Sequence, residues 1–368
     1  MRRPLARGAL VTALAISLGC AALPAEAATR KPRPAPAKER GDKGTPYATR
    51  EDAMALAEEI AARRGWDAAW VRQAIGEARH LPVIARLVLP PPAGTPKNWQ
   101  AYRARFIEPV RVQAGVRFWQ AHQALLARAE QAYGVPAELI VGIVGVETLY
   151  GQHMGDFRVL DALATLALDF PAAHPRATAR ARYFRGELEH FLAAQRAAGT
   201  APTRPRGSYA GASGMPQFMP SSIARWAVDE DGDGRIDLSR SAADVIGSVA
   251  NYFKAFGWKP GMPTHYAVGF DTGRLDLEGL LAPDILPTFS VAAMQARGAV
   301  LEGEALAHEG PLALVELQNG TLPPTYLAGT ENFYVITRYN WSSYYALAVI
   351  ELGREVRAAV QAARKGAE

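Results

Sequence analysis

The stretch GVPAELIVGIVGVETLYG, residues 134–151, decides how the rest of the chain is read. Gly134-Val135-Pro136 ends whatever precedes it. A proline near a first helical turn suits a new helix, because the N–H it lacks would have no intrahelical partner there. Beyond it, Val141, Ile143, Val144, Val146, Leu149 and Tyr150 leave no polar face. A helix that is apolar around its circumference is a buried one, so the segment predicts the centre of a helical core. Gly142 and Gly145 lower its helix propensity but allow another chain segment or a ligand to come close. One charge remains near its end, Glu147. The bland reading is a helix-end glutamate reaching water. The sharper one is a carboxyl group withdrawn from water, which favours its neutral form and leaves it able to donate a proton near neutral pH. Glycosidic bond cleavage requires such an acid. No second carboxylate sits at a pairing distance in sequence, and Asp156 and Asp161 suit capping or surface roles equally well.

Outward from this helix the pattern stays helical. REDAMALAEEIAARRG (50–65) and DAAWVRQAIGEARH (67–80) carry apolar residues at helix spacing with Gly65 as a stop. After Pro90-Pro91-Pro92 a long helical region is expected from about 98 to 133, interrupted near Pro109. Further helices are expected at 159–169, 176–198, 241–258 and 343–366. In PTRPRGSYAGASGMPQFMPSS (202–222) the glycines and prolines oppose a regular helix, and Ser221 or Ser222 is the expected cap of a short helix from Ile223. LALVEL (312–317) and ENFYVITRYN (331–340) are the strand candidates. The fold class is mainly α with a small β part, without the βα alternation of a doubly wound sheet.

The chain has 368 residues and a formal charge of +5. The positive charge is concentrated at its start. Residues 1–27 hold three arginines and one glutamate, and residues 28–50 hold seven basic and two acidic groups, which leaves the remainder at −2. A nucleic-acid groove is therefore not supported. The apolar run from Gly8 to Gly19 behind Arg2, Arg3 and Arg7 reads as an export signal, too short to span a membrane. Two exits compete: Ala25-Glu26-Ala27 as a small-x-small cleavage site, and Ser17-Leu18-Gly19-Cys20 as a loose lipoprotein signal. Cys20 is the only cysteine and has no internal disulfide partner, which tips the reading towards lipid attachment. Residues 28–49 then form a basic Pro/Ala-rich tether. The histidines form no compact zinc pattern.

DEDGDGRIDLSRSAAD (229–244) places Asp229, Asp231 and Asp233 at alternating positions, with Gly234 for the turn, the Arg235 backbone carbonyl next and Asp237 at the ninth position. Hard oxygens so arranged suit Ca²⁺. Arg240 stands at the twelfth position, where the usual glutamate would close the loop.

GVPAELIVGIVGVETLYGQHMG, DALATLALDFP, GSYAGASGMPQFMPSS, IGSVANYFKAFGW and ENFYVITRYNWSSYYALAV resemble, in order, successive blocks of the lytic murein transglycosylase B family. The resemblance implies a lysozyme-like catalytic core within 136–368, a helical region over 50–135, and a mixed α/β segment over 259–340. It implies action on peptidoglycan strands in the bacterial periplasm, with outer-membrane attachment if Cys20 is lipidated and no organic cofactor. Glu147 would be the single acid/base, forming a 1,6-anhydromuramyl end. Ser208, Ser213, Met215, Gln217 and Phe218 would belong to the sugar-binding loop, and Tyr339, Asn340 and Tyr345 to a cleft wall. The resemblance also supplies a closing ligand for a structural Ca²⁺, Asp244. A muramidase using water, or a noncatalytic cell-wall scaffold, are the alternatives.

Overall fold

The computed structural model describes residues 44–92 and 94–366; the export signal, Cys20 and most of the tether lie outside the described residues. The described chain is mostly helical. It forms two compact units, one of residues 262–317 and 324–346, the other of the remainder. Residues 50–135 and the Glu147 helix fall in the same, larger unit.

In the larger unit the helix Ala137–Thr148 is the buried centre that its composition predicts: all but two of its residues are buried. Its glycines serve close helix packing. A Cβ on Gly142 would lie 2.3 Å from the Val349 carbonyl oxygen, and one on Gly145 would lie 2.8 Å from Leu352, both on the long helix Ser343–Lys365. The close approach that the glycines permit is thus to a later helix of the same chain. The helices Pro109–Ala121 and Gln123–Tyr133 also pack on it. Where one interrupted helical region is expected over 98–133, the structure has three helices. Besides the break before Pro109 the chain turns again at His122, whose backbone (φ −122°, ψ 23°) leaves the helical region.

Gly65, at φ 63°, ends Glu51–Arg64 as expected. The helix at 220 begins earlier than expected: Pro220 occupies its first turn, Met219 precedes it, and no side chain caps it. Ser221 instead donates to Glu187 Oε1 at 2.6 Å. Asp161 is not a surface residue. It is fully buried in Val159–Leu168, accepting from the Arg79 backbone N–H (3.0 Å) and from Arg158 (2.9 Å). Burial still raises its pKa despite these donors.

The smaller unit holds most of an antiparallel sheet in which Leu322–Gly329 lies between His265–Ala267 and Ala313–Asn319, residues 318–323 belonging to the larger unit. Register is set by His265 facing Gly329 and Ala267 facing Leu327. Leu280, Phe289, Met294, Leu312, Leu314 and Ala328 form its core. LALVEL is a strand, but ENFYVITRYN is not: Glu331–Thr337 is a helix. Aromatic and β-branched residues suggest a strand locally, yet Thr330 accepts from Asn332 N and caps a helix start. The same Thr330 hydroxyl donates to the Pro263 carbonyl at 2.6 Å, and Asn332 Nδ2 donates to Met262 O at 2.9 Å. Tertiary bonds to 262–264 therefore override the local preference.

Candidate active site and metal loop

Glu147 sits one residue before the end of its helix and is half-buried, whereas Val146 and Thr148 on either side are buried. The chain leaves the helix through three consecutive left-handed residues, Leu149 (φ 50°), Tyr150 (φ 56°) and Gly151 (φ 84°). Two of them carry side chains, a conformation costing about 1 kcal/mol or more each and kept only where surroundings enforce it. The enforcing bonds run from Tyr150 N to Val144 O and from Leu149 N to Gly145 O, each at 3.2 Å, so these carbonyls near the helix end are satisfied. Arg111 Nη1 adds a bond to the Gly145 carbonyl at 2.5 Å, placing a cation at the negative end of the helix. Burial pulls this guanidinium below its ordinary pKa. The Tyr150 hydroxyl has no hydrogen-bond partner among the described residues, and burial pushes its pKa up, so it stays neutral. It lies against Gly115 and Gly145, where a Cβ would come within 2.5 Å of it.

The helix end is clipped to the 208–218 loop. Thr148 Oγ1 donates to the Met215 carbonyl (2.8 Å) and accepts from Gly151 N (3.0 Å). Within the loop, Ser213 and Phe218 exchange backbone bonds at 3.0 and 3.1 Å, closing a tight turn in which Gln217 takes φ 50°. Exposure alternates across it: Ser213, Met215 and Gln217 are half-buried, while Gly214, Pro216 and Phe218 are buried. Four of the five expected sugar-loop residues, Ser208, Ser213, Met215 and Gln217, are half-buried, and Phe218 packs inward against Tyr252 at 5.6 Å between ring centres. Gln217 Nε2 donates to the carbonyls of Met154 (3.1 Å) and Gly214 (2.9 Å). Ser208 Oγ accepts from Ala210 N and Ala212 N, so it shapes the loop from within.

In the smaller unit, Tyr339 is half-buried and stacks on Tyr345, with ring centres 6.1 Å apart and planes 15° from parallel. Tyr345 is 1% exposed and presents no face to a ligand; it supports Tyr339. Asn340 is buried, and its Oδ1 has no hydrogen-bond partner among the described residues.

The acidic loop is held by bonds from its own backbone. Asp229 accepts from the backbone N–H groups of Gly232 (2.8 Å), Asp233 (3.1 Å) and Gly234 (2.8 Å), while Gly232 and Gly234 take φ 73° and 87°. Carboxylate oxygens of Asp229, Asp231 and Asp244 converge within 4.8 Å of one another. Asp244, 1% exposed, also accepts from Glu230 N and Asp237 N, which brings the helix Ala242–Ala255 onto the loop. Like charges held this close favour a cation between them, and all-oxygen donors suit Ca²⁺. Asp233 and Asp237 lie outside this convergent group. Asp233 accepts from Arg235 N, and Asp237 from Ser239 N and Arg240 N. From the loop, the Leu238 carbonyl accepts from Met215 N at 2.7 Å. A chain of contacts therefore runs from the acidic loop through Leu238 and Met215 to Thr148, beside Glu147. Thr148 and Arg111 are the residues that sequence reasoning missed; the only signal for Thr148 was its place next to the acid.

Residues 48–354 match the family described as Transglycosylase SLT domain. The chain is 40% identical over 326 residues to the membrane-bound lytic murein transglycosylase B of Escherichia coli strain K12, covering 85% of this chain and 84% of that protein. Among solved structures it is similar to the Escherichia coli lytic transglycosylase Slt35 in complex with calcium, at 39% identity and TM-score 0.73, covering 87% of this chain and 96% of that one. It is also similar to SltB3 from Pseudomonas aeruginosa in complex with NAG-anhNAM-pentapeptide, at 28% identity and TM-score 0.69, covering 83% and 79%.

Proposed function

Because the chain belongs to the transglycosylase SLT domain family and is a peptidoglycan lytic transglycosylase, we propose that Glu147 is its sole acid/base. In the first step its carboxyl proton goes to the oxygen linking N-acetylmuramic acid to N-acetylglucosamine, and that C–O bond breaks. In the second, the carboxylate takes the proton of the muramyl C6 hydroxyl, whose oxygen closes on C1. The product is a 1,6-anhydromuramyl end, water is not consumed, and the glutamate ends protonated as it began. The observation that carries this assignment is the half-buried Glu147 at the end of an almost wholly buried helix, with Thr148 fastened to the loop in which Ser213, Met215 and Gln217 keep partial exposure. That loop is the proposed contact for the N-acetyl sugar, with Ser208 and Phe218 shaping it from within; Tyr339, supported by Tyr345, and Asn340 are proposed for the cleft wall.

The natural substrate on this reading is a glycan strand bearing stem peptides, in keeping with the pentapeptide product held by the Pseudomonas relative. Asp229, Asp231 and Asp244 are the proposed carboxylate ligands of a structural Ca²⁺, with Asp233, Asp237 and the Arg235 carbonyl as further donors after local adjustment. The ion would neutralise their repulsion and stiffen the loop behind Met215. The membrane-bound name of the Escherichia coli relative supports a periplasmic enzyme, and Cys20 is the proposed lipid attachment point. Among the described residues no helix is long and apolar enough to cross a membrane. Membership of an enzyme family argues against a noncatalytic scaffold.

Mass spectrometry of muropeptides released from purified sacculi tests the chemistry. Wild type should release anhydro ends, lighter by one water than reducing ends, and Glu147→Gln should release none. Reducing-end products would convert the reading to a hydrolytic muramidase, and residual lysis by the variant would remove Glu147 from its role.

A further inference from the structure

We propose that a cavity at the far end of the helix Val159–Leu168 is a second binding site, separate from Glu147, that takes the carboxylate-terminated end of a stem peptide. It is an open pocket of about 420 Å³, a size typical of small-ligand sites. Ala167, Leu168, Phe170 and Ala177 form an apolar wall, and Arg182 and Arg185 supply its charge. The two arginines are three residues apart on the helix Ala177–Ala197 and so share a face. No carboxylate lines the cavity, and among the described residues neither arginine is ion-paired. Arg185 Nε donates to the Ala167 carbonyl at 3.3 Å, which fixes that guanidinium against the wall. The nearby acid, Asp169, is already engaged by Arg50 (2.7 Å) and Tyr47 (2.5 Å). Positive charge is therefore in excess here, in a chain whose body is slightly negative.

Two guanidinium groups beside a small apolar wall match a short chain end that carries methyl side chains and a free carboxylate. A flat phosphate surface would engage the arginines but leave the apolar wall without a partner. The distances also suit a peptide. The first turns of Val159–Leu168 touch the sugar loop, since a Cβ on Gly207 would lie 3.1 Å from Val159 and one on Gly211 would lie 2.4 Å from Leu163. The cavity opens at the other end of that ten-residue helix, about 15 Å away at 1.5 Å per residue. An extended pentapeptide spans roughly 17 Å. A sugar held on that loop can thus place the end of its stem peptide in the cavity, and the enzyme would favour strands whose stems still end in a free carboxylate. This inference rests on the peptidoglycan reading above.

The test uses the full chain and the free peptide N-acetyl-L-Ala-D-Glu-L-Lys-D-Ala-D-Ala, titrated by calorimetry against its C-terminal amide. The acid should bind, the amide should bind at least tenfold more weakly, and Arg182→Ala should lose at least tenfold in affinity for the acid. Arg182 is exposed, so that variant should keep the wild-type melting temperature and its rate on peptide-free glycan. Equal binding of acid and amide, or unchanged binding by Arg182→Ala, overturns the proposal. So does an absence of peptide binding, and arginine-dependent sedimentation on phosphatidylglycerol vesicles beside it would assign the arginines to a lipid surface. Peptide binding is read without turnover, so it stands or falls independently of the role of Glu147.

Discussion

Replacing Thr148 by Val removes one hydroxyl while conserving shape, and the structure predicts what that hydroxyl is worth. The residue is 1% exposed, so water cannot take over its bonds. Its Oγ1 donates to Met215 O at 2.8 Å and accepts from Gly151 N at 3.0 Å. Thr148→Val leaves a carbonyl and an N–H without that partner, each costing about 1–3 kcal/mol when buried. Some relaxation of the loop offsets part of this, so the expected loss is about 2–4 kcal/mol. Because the two orphaned groups belong to the 208–218 loop and to the left-handed exit from the Glu147 helix, the proposed role of Glu147 predicts that turnover falls along with stability. Urea denaturation followed by circular dichroism gives the first quantity, and anhydromuropeptide release from sacculi the second. Thr148→Ser, which keeps the hydroxyl, should recover most of both. A Thr148→Val loss below about 0.5 kcal/mol, the scale of an ordinary surface substitution, would refute the claim that this bond clips helix to loop.

Ca²⁺ should raise the wild-type unfolding free energy, by about 2.7 kcal/mol at a hundredfold excess over its dissociation constant, and should do so far less for Asp231→Asn or Asp244→Asn; calorimetric silence of the wild type would remove the ion. Two glycine-to-alanine changes should have opposite signs in thermal melts. Gly142→Ala drives a methyl group into the Val349 carbonyl and should cost about 1–2 kcal/mol net after the gain in helix propensity, whereas Gly186→Ala, with nothing within 4 Å, should stabilise by about 0.5–1 kcal/mol. Burial alone would raise the Glu189 pKa, but bonds from Arg63 and Arg64 more than offset it and hold the carboxyl below its usual value. A depressed folded-state pKa contributes stability above the unfolded value, about 4.3, and loses it as pH falls through the folded one. Glu189→Gln should therefore destabilise at pH 7, with a deficit that shrinks in denaturation curves taken below about pH 4.

By itself the sequence determined that 137–148 is a buried helix, since no rotation of VGIVGVET offers a polar face, and that one carboxyl group is carried at its end. The glycine spacing announced close packing, because it follows from local geometry, and the alternating aspartates marked a loop in which three carboxylates converge. Tertiary structure decided the rest. ENFYVIT is helical because Thr330 and Asn332 bond to residues about seventy positions earlier, which no local pattern encodes. Asp161 is buried because Arg79 and Arg158 come to it. Phe218 is buried while Ser213, Met215 and Gln217 keep partial exposure, a division set by which side of the turn meets the core. The link from the acidic loop through Leu238, Met215 and Thr148 to the neighbourhood of Glu147 depends on hydrogen bonds between segments far apart in the chain. Residue identity supplied the carboxyl group of Glu147; the fold supplied the bonds that hold its helix end in place.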